Sequence, residues 1–89
     1  MEWESQVQDK FKLIISKIPL FHRGMAAIAV SKKAEENARV RGVTVVEEQD
    51  VVSAFFSDVP IPFYSMMVRL MEQSGFDYKQ YGFPRKYEI

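Results

Sequence analysis

Apolar residues recur along this chain at helical spacing. Trp3, Val7, Phe11, Ile14 and Ile15 form one stripe, Leu13 and Ile18 widen it, and Asp9, Lys10, Lys12 and Lys17 lie mostly off it. That pattern predicts a first helix over 2–17. Pro19 disfavours a helical Ile18 and ends the helix near Lys17. Trp3 and Phe11 read as core anchors rather than a ligand-stacking surface, because both fall on the stripe.

A longer helix is predicted over about 21–41, with Pro19 just ahead of it. Gly24 weakens its first turns by about 1 kcal/mol relative to alanine, a cost explained if another backbone comes close there. Ala27, Ser31, Ala34 and Ala38 share one face, with Val30 and Arg41 beside it. Small side chains in that pattern let a neighbouring helix approach, while Met25 and Ile28 flank the face and supply bulk. Lys32, Lys33, Glu35, Glu36, Asn37 and Arg39 make a solvated polar face, on which Lys32–Glu36 and Glu35–Arg39 are opposite-charge pairs four apart. Gly42 stops the helix, and Arg39 and Arg41 suit the negative end of its dipole.

Val43–Val46 is β-branched and predicts an extended segment. Four residues do not make a sheet alone, so if they pair with anything it is with the same segment of a second chain or with another partner. Glu47, Glu48 and Asp50 supply the acidic first turn of a third helix, made apolar by Val51, Val52, Ala54, Phe55 and Phe56 and ending near Ser57–Asp58. Pro60-Ile61-Pro62 reads as an extended link. A fourth helix follows from Pro62 to about Ser74, with Phe63, Met66, Met67, Leu70 and Met71 as a core stripe and Gly75 as its stop. The tail carries Phe76, Tyr78, Tyr81, Phe83 and Tyr87, as a strap over the helices or as an exposed aromatic segment. The expected fold is all-α: one domain over 1–89, with four helices around a long central helix and a short extended segment near 43–46.

Composition narrows the function. Hydrophobic residues make up 47% and charged residues 27%, a globular rather than a disordered balance. Twelve basic and twelve acidic side chains cancel, which disfavours a domain built to grip phosphates. There is no cysteine and one histidine, so neither thiolate chemistry nor a usual zinc site is expected. No signal-peptide pattern opens the chain, and no apolar run approaches the roughly 20 residues that cross a bilayer. The expectation is a soluble, cytoplasmic protein that does not associate with membranes.

No phosphate loop, zinc-protease motif or nucleophile elbow is present. No serine lies in an activating motif, and no catalytic residue, metal or cofactor is expected. The one local set with a candidate role is Pro19, His22 and Arg23. Unpaired amides at a helix start, together with Arg23, can hold an anion, and the plainer reading is a capping or surface pair. Ala27, Ala34, Ala38 and Arg39 join these three as candidate interaction residues.

Two resemblances sharpen this picture. Lys17-Ile18-Pro19-Leu20-Phe21-His22-Arg23, the helix end with Glu35, Ala38-Arg39 and Gly42, and the following Thr44, Glu47, Glu48 and Ala54 resemble the small C-terminal domain of the B subunit of light-independent protochlorophyllide reductase. The likeness runs over 11–56, with 60–89 outside it as an additional helix and aromatic tail. The reductase works through an iron–sulfur apparatus that a cysteine-free chain of this size lacks. What the resemblance implies is therefore an accessory module, non-catalytic by itself, that acts with a larger redox protein. More loosely, the short helix, long helix, brief strand and following helix look like a histone fold. That likeness implies handshake dimers through the central helix and nucleic-acid binding, for which Lys32, Lys33, Arg39 and Arg41 are the candidates. A third reading is a tetrapyrrole-binding cleft lined by Phe55, Phe56, Phe63, Met66 and Met67.

Overall fold

A computed structural model describes residues 1–84 of the protein. Four helices carry the fold: α1 (Ser5–Lys17), α2 (Leu20–Val40), α3 (Glu48–Asp58) and α4 (Tyr64–Gln73). Two short strands, β1 (Glu2–Trp3) and β2 (Val45–Val46), form a parallel pair, with Glu2 opposite Val45 and Trp3 opposite Val46.

This pair corrects two expectations. The first helix starts at Ser5 rather than Glu2, and the β-branched run finds its partner inside its own chain. The Glu4 N–H also donates to the Val46 carbonyl at 3.1 Å. Val46 is buried, and a buried strand backbone needs partners for its polar groups. Residues 2–4 supply them.

The glycine stops hold. Gly42 has φ +80°; its N–H donates to the Arg39 carbonyl, and the Val43 N–H to that of Ala38, which closes α2 in a Schellman motif. Gly75 ends α4 in the same way with φ +86°, while the Phe76 N–H reaches back to Met71.

The helix most fully enclosed is α3, not α2. Val51, Val52, Ala54, Phe55 and Phe56 are all buried, as suits a helix apolar around most of its circumference. The most extensive helix contact runs between α2 and α3, with Ala34 and Ala38 fully buried. The small-residue face does accept a neighbouring helix, and that neighbour is α3 of the same chain. Val7 and Ile14 of α1 and Met67 and Met71 of α4 complete the core.

Between α3 and α4 the chain does not run extended. Ile61–Phe63 forms a 3-10 turn, closed by the Phe63 N–H to the Pro60 carbonyl at 2.9 Å. Pro62 is tolerated because the first turn of such a helix leaves its N–H groups unused, and α4 begins two residues later, at Tyr64. The segment after α4 is a strap. Phe76 and Tyr78 are buried, Tyr78–Tyr81 forms another 3-10 turn, and Phe83 stacks on Phe56 with ring centroids 4.7 Å apart. Tyr87 lies outside the described residues. Trp3 and Phe11 sit together as packing anchors, centroids 5.1 Å apart, with the Trp3 indole N–H donating to Glu35 at 3.2 Å.

Candidate functional site

The candidate interaction residues divide into three groups. Ala34 and Ala38 belong to the core, and Ala27 is half-buried on the same face. Arg39 is exposed and 3.8 Å from Glu35. Pro19, His22 and Arg23 cluster at the start of α2, but not as an anion site. The Arg23 guanidinium donates to the carbonyls of Ser16 (2.9 Å) and Ile18 (3.0 Å). Those oxygens lie at the C-terminal end of α1, where carbonyls lack intrahelical partners and the dipole favours a cation. Arg23 is thus a structural cap that fixes the α1–α2 corner. His22 is exposed beside it.

The basic face of α2 is largely committed to carboxylates of this chain. Lys33 lies 3.7 Å from Glu36, replacing the expected Lys32–Glu36 pair, and Arg39 pairs with Glu35. Arg41 holds Asp50 through two bonds, Nε to Oδ1 and Nη2 to Oδ2, both 2.9 Å. Glu47 stands 3.6 Å from the same guanidinium. The Asp50 hydrogen bond is the main cause that raises the Arg41 pKa above its ordinary value. Asp50 also accepts the Glu47 N–H at 2.9 Å, which caps the start of α3, and Asn37 donates to the Asp50 carbonyl. This knot ties the end of α2 to the start of α3, and its polar groups are spent on each other.

The feature that stands apart is the other half of α2. Leu20, Phe21, Met25 and Ile28 are 75%, 96%, 78% and 73% exposed. Phe21, Met25 and Ile28 follow steps of four and three, so they share a face. That face lies opposite Ala27, Val30 and Ala34. From Met25 to Val30 this helix therefore carries no polar side chain on either face, whereas Lys32, Glu36 and Arg39 continue the outer face as charges. Sequence periodicity placed Met25 and Ile28 as bulk beside a packed face; among the described residues no element covers them. Gly24 belongs to the same open region, and a Cβ placed on it meets nothing within 4 Å. The close backbone approach expected at this glycine does not occur among the described residues.

Beside the face runs an apolar groove of about 370 Å³, walled by Ile14, Ile18, Met25, Ala26, Ala29, Val59, Phe63, Met66 and Leu70 and floored by Phe55 and Met67. Phe63 on its wall is itself more than half exposed. Of the expected cleft residues, Phe56 is elsewhere: it stacks under Phe83, and its carbonyl accepts the Tyr64 hydroxyl. His22 and Asp58 are the ionisable side chains on the lining. Among the described residues no cluster of His, Asp or Glu could hold a metal ion, and no single helix is long and apolar enough to cross a membrane.

No protein-family model, curated protein or solved structure matches the chain.

Proposed function

We propose that the protein is a non-catalytic docking module that binds another polypeptide through the first half of α2 and the adjacent groove. The observation that carries this reading is a helix apolar on both faces but covered on one. Burying a side chain such as Leu, Ile, Phe or Met is worth about 1.5–3 kcal/mol, and four of them stand open on one short stretch. Contiguous apolar patches of this kind mark interaction sites.

The sequence resemblance to the reductase accessory domain directs the choice of partner to a larger redox protein. The same resemblance includes Pro19 to Arg23, the corner from which the open face starts. Nucleic-acid binding through Lys32, Lys33, Arg39 and Arg41 has less support, since three of these four are paired with carboxylates of the chain and the net charge is zero.

Photo-cross-linking in the producing cells tests the reading. Benzoylphenylalanine in place of Met25 is expected to give an adduct with a polypeptide whose peptides are then sequenced, while the same group in place of Glu36 gives none. Absence of any polypeptide adduct at position 25 overturns the docking reading. Turnover of protochlorophyllide by the purified chain, or a stoichiometric metal or chromophore, overturns its non-catalytic part.

A further inference from the structure

The groove beside the open half of α2 is distinguished by its shape, its lack of any strand edge and the charge of its rim. From these we infer that the polypeptide docked there presents an amphipathic α-helix whose apolar stripe is flanked by aspartate and glutamate. The inference rests on the docking reading above and names the chemistry of the partner.

The shape suits a helix. α2 packs on α3 and α4 packs on α1, whereas α2 and α4 make little direct contact with each other. The groove occupies the space between them, with Met25, Ala26 and Ala29 along one wall and Met66 and Leu70 along the other. Its α2 wall runs from His22 to Ala29, about two helical turns or roughly 10 Å. A helix laid between these two meets both walls through residues at i, i+4 and i+7. An extended segment is disfavoured. Neither β1 nor β2 contributes to the lining, which is drawn from the helices and the turns that join them. Without a strand edge to pair with, the N–H and C=O groups of an extended occupant would lose water and gain no partners. A helix satisfies those groups internally and brings side chains to the apolar lining.

The rim sets the flanking charges. Ile14, Ala29 and Met66 line the groove from three different helices, and the residue three positions after each is basic: Lys17, Lys32 and Arg69. Residues three apart are neighbours on a helix surface, so these cations stand around the rim. All three are exposed, and among the described residues none is ion-paired. Asp58 is the carboxylate on the lining, so the surroundings of the groove are positive in a protein whose net charge is zero. An apolar trough with such a rim complements a helix with acidic flanks and repels one with basic flanks.

Fluorescence anisotropy of the intact chain with three synthetic peptides of about 15 residues tests this. The first is a hydrocarbon-stapled helix with leucines at i, i+4, i+7 and i+11 and glutamates beside them. The second replaces the glutamates by lysines, and the third is unstapled, keeps the glutamates and has a central proline that breaks the helix. The acidic helix should bind with a dissociation constant of about 100 μM or below. At about 50 mM salt it should bind at least about 10-fold more tightly than the lysine helix, and the gap should narrow at about 500 mM. The proline peptide should bind about 10-fold more weakly or worse. Lys32→Glu combined with Arg69→Glu, both at exposed sites, should leave the far-ultraviolet circular dichroism unchanged and reverse the preference to the lysine helix. Ala29→Glu, also exposed, narrows the groove itself and serves as a second variant, weakening the acidic helix about 10-fold.

No binding of the acidic helix at about 100 μM overturns the inference, as does equal binding of the lysine or the proline peptide. A folded double variant that keeps the original preference overturns it as well, and so does a chain that takes none of the peptides but is retained on anionic phospholipid vesicles. The docking reading has its own readout: a polypeptide adduct at position 25 together with failure of the acidic helix keeps docking and removes this partner. Absence of any adduct there overturns both.

Discussion

Replacing Arg41 by alanine should cost far more stability than replacing any other basic residue of α2. The Asp50 side chain is 1% exposed and accepts two guanidinium bonds at 2.9 Å, while Arg41 itself is 30% exposed. Removing the arginine leaves the carboxylate buried with the Glu47 N–H as its remaining hydrogen bond. Breaking a buried pair by deleting one member costs about 3–5 kcal/mol. Partial exposure of Arg41 means that water can enter the space it leaves, so the lower end, about 3 kcal/mol, is expected. Arg39 supplies the comparison: its side chain is 62% exposed and 3.8 Å from Glu35, and Arg39→Ala should cost under about 0.5 kcal/mol. Urea unfolding followed by circular dichroism reads both. With a slope of about 1 kcal/mol per molar for so small a domain, Arg41→Ala should lower the midpoint by roughly 3 M and Arg39→Ala by at most about 0.5 M. Equal midpoints for the two variants would refute the assignment of Asp50 as a buried charge held by Arg41.

Other consequences are as specific. Gly24→Ala should stabilise the domain by up to about 1 kcal/mol at low protein concentration, because the site is helical and open. Gly42→Ala should destabilise it by about 1 kcal/mol, because φ is +80° there; thermal unfolding separates the two signs. Burial first, and then the nearby Glu48 carboxylate, push the Tyr81 hydroxyl from 10.0 to about 12. A group whose pKa is raised on folding contributes stability that is whole below its unfolded pKa and lost as pH climbs through the folded one. Wild type should therefore lose stability between pH 10 and about 12 more steeply than Tyr81→Phe, and equal slopes would count against a raised phenol pKa. Deleting residues 1–4 removes β1 and the Glu4–Val46 bond. It should cost about 1–3 kcal/mol, the penalty of leaving buried backbone groups unpaired, and no loss of melting temperature would show that the ladder is incidental.

Much of the fold can be read along the chain, because helices are set by near neighbours. The Val7-Phe11-Ile14 stripe, the Gly42 and Gly75 stops and the acidic turn before Val51 each act within a few residues, and each falls where periodicity and capping place it. The two-residue ladder was hidden because its partners are more than forty positions apart (Glu2 with Val45). Capping was the plainer of the two readings of Arg23, and the carbonyls it would cap were hidden for a related reason: they depend on where the end of α1 lies relative to the start of α2, an angle that no local pattern encodes.

The candidate site shows the same division. Sequence by itself determined that the chain would be mostly helical, that the second helix would be longest, and that Met25 and Ile28 would flank its small-residue face. Only the tertiary structure decided which side stays open. Alanines at 34 and 38 let α3 come close to one face, and among the described residues no helix lies against Phe21, Met25 and Ile28. A periodic stripe records that a face is apolar, while burial depends on what the rest of the chain can reach. Among the described residues α3 covers one side of α2, and its other apolar side, at Phe21, Met25 and Ile28, stands open.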